Sequence, residues 1–290
     1  MIKPVIVGVD RASGMGDAVD WAADEAERRG VRLRLVHVWL RQAYDTPEGR
    51  NNADTEREGQ RLLQDAAARA TARQVEPAVD VELLEGGPRD SLMSLSPDAE
   101  LLVTGARGSG GFPRLLVGST SLYLAAAADC PVVVVPQAAP RAGRGGVVVG
   151  IDGKGPCDDS LRFAFELARR RELPLRAVHA WRYPLVRGPG GHSSPPVYEE
   201  GHVAEEAAQR LAEVLTVWRR SYPDVPVQED LVRSGAAKHL VALSATGQLV
   251  VVGRRGSREG PIRRLGSVGQ AVVNYAQCPV AVVPERHDQE

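Results

Sequence analysis

Two glycine-bearing segments of this chain share one spacing. Gly105, two residues, Gly108, nine residues and then Gly118-Ser119 recur as Gly253, two residues, Gly256, nine residues and then Gly266-Ser267. Each follows a short apolar run, residues 101–104 or 249–252, and each leads into an apolar stretch with helical character. Glycine lacks a Cβ, so its backbone can approach a ligand closely. A Gly-Ser pair at a helix start adds unpaired amides, the positive end of the helix dipole and a donor hydroxyl, all suited to an anion. The chemistry this predicts is main-chain N–H groups wrapped around phosphates.

Asp10 and Asp152 end the first apolar run of each half. In open α/β sheets, ligands bind beyond the carboxyl ends of the strands, where the strand order reverses. If the first and fourth strands are neighbours, each aspartate faces its glycine turn across one crevice. A carboxylate there suits ribose hydroxyls better than phosphate. An aspartate after a strand is also a common turn former, and recurrence in both halves favours the ribose role. A Walker loop is excluded: Gly153-Lys154 is followed by Gly155, where a hydroxyl residue would be needed. The dinucleotide glycine fingerprint fails as well, because Gly108, Ser109, Gly110 continues to Pro113.

The elements that must position these residues are repeated. VIVGVD ending at Asp10 matches VVVGID ending at Asp152, and LRLVHVW matches LRAVHAW. CPVVVVP, beginning at Cys130, matches CPVAVVP, beginning at Cys278. The separation is 148 residues for Gly105 and Gly253, again 148 for the two cysteines, and 142 for the two aspartates. Two units are therefore expected, 1–137 and 145–290, joined by the Gly-, Pro- and Arg-rich segment 137–146. In the first unit the strands are short Val- and Leu-dense runs at 5–9, 33–38, 79–84, 101–104 and 132–135, as in parallel sheets covered on both faces. Met15, Ala18, Val19, Ala22 and Ala26 share a helical face, with Ser13 as a candidate N-cap. Val203, Ala207, Leu211, Val214, Leu215 and Trp218 form a second stripe. Asp158 and Asp159 open a helix that Arg169, Arg170 and Arg171 close, matching the helix dipole. Each unit reads as a doubly wound α/β fold with right-handed crossovers. Segment 182–196 is too rich in Pro and Gly for a helix; it is an exposed loop, either a lid over the second site or an insertion.

Composition sets the outer limits. Of 290 residues, 43% are hydrophobic, enough for two cores, and a net charge of −1 asks for neither nucleic acid nor an acidic surface. No run approaches the roughly 18–20 apolar residues that span a bilayer. The N-terminus enters a strand with no secretory pattern, and three cysteines cannot make a disulfide framework. These features are those of a cytoplasmic protein with no membrane partner.

The two glycine patterns, the strand-end aspartates and the Cys-Pro-Val strands resemble the universal stress protein family in its tandem-domain form, over nearly the whole chain. The resemblance implies a five-stranded parallel sheet in the order 3-2-1-4-5 in each unit and ATP as ligand, with or without magnesium. It implies adenosine contacts from Gly8, Val9, Asp10 and Val38 in the first unit and from Gly150, Ile151, Asp152 and Ala180 in the second. Phosphate would be held by Gly105, Ala106, Arg107, Gly108, Ser109, Gly110 and Gly111 with Gly118, Ser119 and Thr120. In the second unit the counterparts are Gly253, Arg254, Arg255, Gly256 and Ser257 with Gly266, Ser267 and Val268. The second turn departs from the first by carrying Arg254, Arg255 and Arg258, which either strengthen phosphate binding or form a solvated face. Ala180 in place of Val38 loosens one adenine wall.

Other candidates weigh less. His37 and His179 sit between apolar neighbours and read as satisfied, partly buried histidines rather than bases. Cys130 and Cys278 read as small buried hydrophobes, and Trp21, Trp39, Trp181 and Trp218 as core. No metal-ligand spacing, nucleophile triad or acid–base carboxylate pair is placed. The expected function is ATP binding in stress response through nucleotide-dependent conformation or an unidentified protein partner, with at most weak hydrolysis. Its rivals are a slow ATPase or nucleotide-transferring enzyme and a scaffold holding no nucleotide. The two units are expected to dock through their fifth strands, and a homodimer of the whole chain is a further expectation.

Overall fold

The computed structural model describes residues 2–11, 15–41, 51–73, 78–108, 116–137, 145–153, 157–181, 186–187, 193–194, 202–233, 235–255 and 265–285. The first half runs β1 (Val5–Gly8), α1 (Met15–Arg29), β2 (Leu33–Trp39), α2 (Asn52–Thr71), β3 (Val79–Glu85), α3 (Pro88–Leu95), β4 (Leu101–Gly105), α4 (Ser119–Ala127) and β5 (Val132–Val135). The second runs β6 (Val147–Ile151), α5 (Asp158–Arg170), β7 (Leu175–Trp181), β8 (Val186–Arg187), β9 (Ser193–Ser194), α6 (His202–Ser221), β10 (Val227–Arg233), α7 (Ala236–Leu243), β11 (Leu249–Arg255), α8 (Ser267–Tyr275) and β12 (Val280–Glu285).

Each half is a parallel sheet in the expected order, β3-β2-β1-β4-β5 and β10-β7-β6-β11-β12. The central strands are buried on both faces, which is why they read as unbroken Val and Leu runs rather than alternating ones. One core lies under α1, α2, α5 and α6; it holds Val5, Val7, Leu101, Val103, Leu161 and Phe165. The other lies under α3, α4, α7 and α8; it holds Ile6, Leu102, Leu124, Leu240, Val250 and Val272. On α1 all five residues of the expected face are buried. On α6 only Ala207, Leu211 and Leu215 are buried, with Val203, Val214 and Trp218 half-covered at the flanks of the stripe. Of the tryptophans only Trp39 is buried; Trp21, Trp181 and Trp218 are half-buried, so they edge the cores rather than fill them.

The two sheets are one. β5 pairs antiparallel with β12, Val133 opposite Ala281, with Val134 opposite Val280 and Val132 opposite Val282. Val133 and Ala281 are 148 residues apart, the repeat offset, so a pseudo-twofold axis passes through this pair. The ten-stranded sheet thereby covers the two edges that β5 and β12 would otherwise present. Ser13, most of the 137–146 connection and most of segment 182–196 lie outside the described residues. Within that last segment β8 and β9 pair antiparallel as a two-stranded ribbon.

Candidate functional site

β1 and β4 are hydrogen-bonded neighbours, as are β6 and β11, so both crevices open at the carboxyl ends of the strands that carry the aspartates and the glycine turns. In the first half the chain leaves β1 under tight control. Val9 N–H donates to the Val36 carbonyl at 2.7 Å, and the Val9 carbonyl lies 2.7 Å from Nδ1 of His37. His37 is thus the satisfied histidine its sequence context suggests. Asp10 follows, half-buried, with its carboxylate over Gly108: a Cβ on Gly108 would stand 2.9 Å from Asp10 Oδ2.

The turn after β4 is pinned from three sides. Ala106 N–H donates to the Val135 carbonyl at 2.7 Å, Gly118 N–H to the Ala106 carbonyl at 2.6 Å, and Ser121 Oγ to the Gly105 carbonyl at 2.8 Å. A Cβ on Gly118 would lie 3.5 Å from the Gly108 amide nitrogen. Gly118 is the N-cap of α4 and supplies no side-chain cap to the first-turn amides. Asp10, Gly105, Ala106, Arg107, Gly108, Gly118 and Ser119 therefore converge, while Ser109, Gly110 and Gly111 lie outside the described residues. Val38 is half-buried near the end of β2. Gly8 answers to packing: a Cβ there would stand 3.0 Å from Leu92 Cδ1, and Gly150 meets Leu240 Cδ1 at the same distance.

The second half repeats the frame with different side chains. His179 Nδ1 lies 2.9 Å from the Ile151 carbonyl, Asp152 is exposed, and Gly153 turns the chain at a φ of 65°. Gly266 caps α8 as Gly118 caps α4. Ser267 and Val268 open that helix, and Ala180 is half-buried near the end of β7. Gly256 and Ser257 lie outside the described residues, as does Arg258. Two differences separate the halves here. Gly269 stands where Ser121 stands in the first, so the hydroxyl tie to the turn is missing. Glu285, matched by Gln137, sits under the turn: a Cβ on Gly253 would be 2.7 Å from its Oε1. Its carboxylate accepts from the amides of Asp159 at 3.1 Å and Ser160 at 3.2 Å, capping α5. Burial pushes the Glu285 carboxyl above its ordinary range, against the pull of Ser160 and Asp159 donors.

Arg254 corrects an expectation. Its side chain is buried, and Nη2 donates to the Ala128 carbonyl beyond α4. The side chain is not a solvated face, because residue 254 points to the sheet face opposite that of Gly253 and Glu285 and meets the first half there. Sequence reasoning also missed Glu285 and Ser121. The Gln137/Glu285 mismatch after two matching Cys-Pro-Val strands was the available signal for the former. Cys130 and Cys278 are buried, and burial pushes both thiols up to about 12, so neither is a nucleophile at neutral pH. Among the described residues no group of His, Cys, Asp or Glu could hold a metal, and no helix is long and apolar enough to cross a membrane.

The model of the universal stress protein family matches residues 1–136 and 145–284. The chain belongs to the universal stress protein family. It is 35% identical over 300 residues to universal stress protein Rv2623 of Mycobacterium tuberculosis (strain ATCC 25618 / H37Rv), covering 97% of this chain and 96% of that one. Universal stress protein Rv2005c of the same strain is 36% identical over 298 residues, covering 96% of each chain. Among solved structures, a universal stress protein from Archaeoglobus fulgidus DSM 4304 superposes with a TM-score of 0.73 over 98% of this chain and 99% of that one. At 16% identity that likeness concerns the fold, two universal stress protein repeats on one mostly parallel sheet.

Proposed function

We propose that this universal stress protein binds ATP and acts in stress response through nucleotide-dependent conformation or partner binding rather than through turnover. The observation that carries the reading is the convergence of Asp10, Gly108 and Gly118. At Gly108 a Cβ would press on the carboxylate, and at Gly118 one would stand close to the Gly108 amide. The residues present fit an adenine nucleotide. Asp10 offers ribose a carboxylate, and the amides of the turn and of the α4 N-terminus offer phosphate donors and a favourable dipole. Asp152 and the turn from Gly253 to Gly266 would serve the second crevice. Binding would change the conformation of the glycine turn and the surface around it.

Equilibrium dialysis with ATP tests this. Wild type is expected to bind, and the double variant Gly118→Leu/Gly266→Leu to lose binding. ATP retained by the double variant, or none bound by wild type, would refute the proposal.

A further inference from the structure

The pseudo-twofold axis through Val133 and Ala281 relates every contact between the halves to a mate. The mate of the Arg254 to Ala128 hydrogen bond joins position 106 to position 276, since both pairs differ by the 148-residue offset. Position 106 is alanine. Where Arg254 fills its side of the axis, the other side holds a cleft of about 380 Å³, lined by Ala106, Arg107, Val117, Val273, Tyr275 and Ala276 among others. Tyr275 is exposed. A cleft of this size lies in the range that small ligands occupy.

The filled side shows what the open side accepts. Ala128 ends α4 at φ −59°, ψ 149°, and Ala276 ends α8 at φ −66°, ψ 144°. The two carbonyls are therefore presented alike, each at the negative end of a helix dipole, where a cation is favoured. The Arg254 side chain is buried, with its guanidinium on that carbonyl. We infer that the cleft at Ala106 binds a small guanidino acid, with its guanidinium on the Ala276 carbonyl, its methylene stem along Val117 and Val273, and its carboxylate outward toward Arg107. Arginine side chains favour a bidentate carboxylate partner, and Arg107, exposed at the mouth, would add the ligand carboxylate to the contacts it already makes. Because Ala106 and Arg107 belong to the first glycine turn, such a ligand would touch the proposed phosphate site from the other half of the molecule. The inference itself does not depend on nucleotide binding.

The probes are L-arginine, agmatine, which lacks the carboxylate, and citrulline, which lacks the charge. Titration calorimetry on the full chain is expected to give one arginine per chain, agmatine several-fold weaker and citrulline weaker still. Ala106→Arg supplies the guanidinium internally and should abolish arginine binding. Arg254→Ala empties the mate cleft and should raise the stoichiometry from one to two. Citrulline binding as well as arginine, or undiminished arginine binding by Ala106→Arg, would overturn the inference. Both outcomes are readable even if Arg254→Ala fails to fold.

Discussion

Gly108 is the residue on which the first crevice turns. The clash that a Cβ would make there is with the far end of Asp10, a half-buried side chain that can swing aside. The expected cost of Gly108→Ala to stability is therefore small, within about 0.5 kcal/mol. Its cost to binding is larger, because the displaced carboxylate is the proposed ribose acceptor. In a Gly266→Leu background, where the second crevice is blocked, calorimetry should show ATP affinity falling about tenfold, near 1.4 kcal/mol, with the thermal midpoint almost unchanged. An affinity equal to the parent's would remove Asp10 from the site. Two further glycines serve histidine rather than ligand. A Cβ on Gly59 would meet His37 Cδ2 at 2.7 Å, and one on Gly153 would meet His179 Cε1 at 2.7 Å. These close approaches let both imidazoles reach the carbonyls that precede the aspartates.

At the scale of elements, the N-terminus of α5 is where the second crevice departs from the first. Glu285 reaches it from the end of β12 and accepts two of its free amides. Burial nevertheless holds the carboxyl above its ordinary range. A carboxyl raised on folding binds its proton more tightly in the folded chain. Its contribution to stability is full below the ordinary glutamate range and is lost as pH rises through the raised folded pKa. Glu285→Gln removes that titration. Urea denaturation at a series of pH values should show the advantage of wild type over Glu285→Gln shrinking as pH rises across that window. An advantage that grows with pH would mean that the α5 amides outweigh burial. Helix ends also show what one turn tolerates: Glu172 takes a φ of 53° after α5, where Gly30 takes 64° after α1.

Over the whole molecule, α1 and α5 meet across the same axis. Arg29 lies over the Phe163 ring at 5.3 Å and Arg171 over the Trp21 ring at 5.1 Å, and these pairs are mates under the 142-residue offset. One carboxylate serves both cations. Glu25, fully buried, accepts from Arg29 at 2.7 Å and from Arg171 at 2.6 Å. Burial pushes its carboxyl up, but Arg171 and Arg29 together outweigh that and hold it below the ordinary range. A lowered pKa gives stability that is present above the ordinary glutamate range and lost as pH falls through the folded value. Glu25→Ala would leave Arg171 buried without its carboxylate and Arg29 with Glu100 alone at 2.9 Å, so chemical denaturation should show a loss of about 3 kcal/mol. A loss below about 1 kcal/mol would mean that the rings, with Glu100 on Arg29, suffice to hold the cations.

Repetition and spacing made much of this legible. The doubled glycine turn, the strand-end aspartates and the Val-rich runs are local patterns. A strand buried on both faces must be apolar throughout, and a turn that admits backbone to a ligand must lack Cβ atoms. The strands themselves and the helix α1 face could be expected on those grounds; the order of strands in each half, and with it the pairing of Asp10 with the first glycine turn, is implied by the resemblance to the family. The direction of Arg254, the cap that Glu285 places on α5 and the sharing of Glu25 between Arg29 and Arg171 could not. Each joins residues more than a hundred positions apart, apart from the short Glu25 to Arg29 link within α1, and two of the three cross between the halves. Periodicity tells which residues turn inward. For the two that cross, the antiparallel seam of β5 on β12, which sets the axis, decides what they meet; for Glu285, the packing of α5 against β12 does.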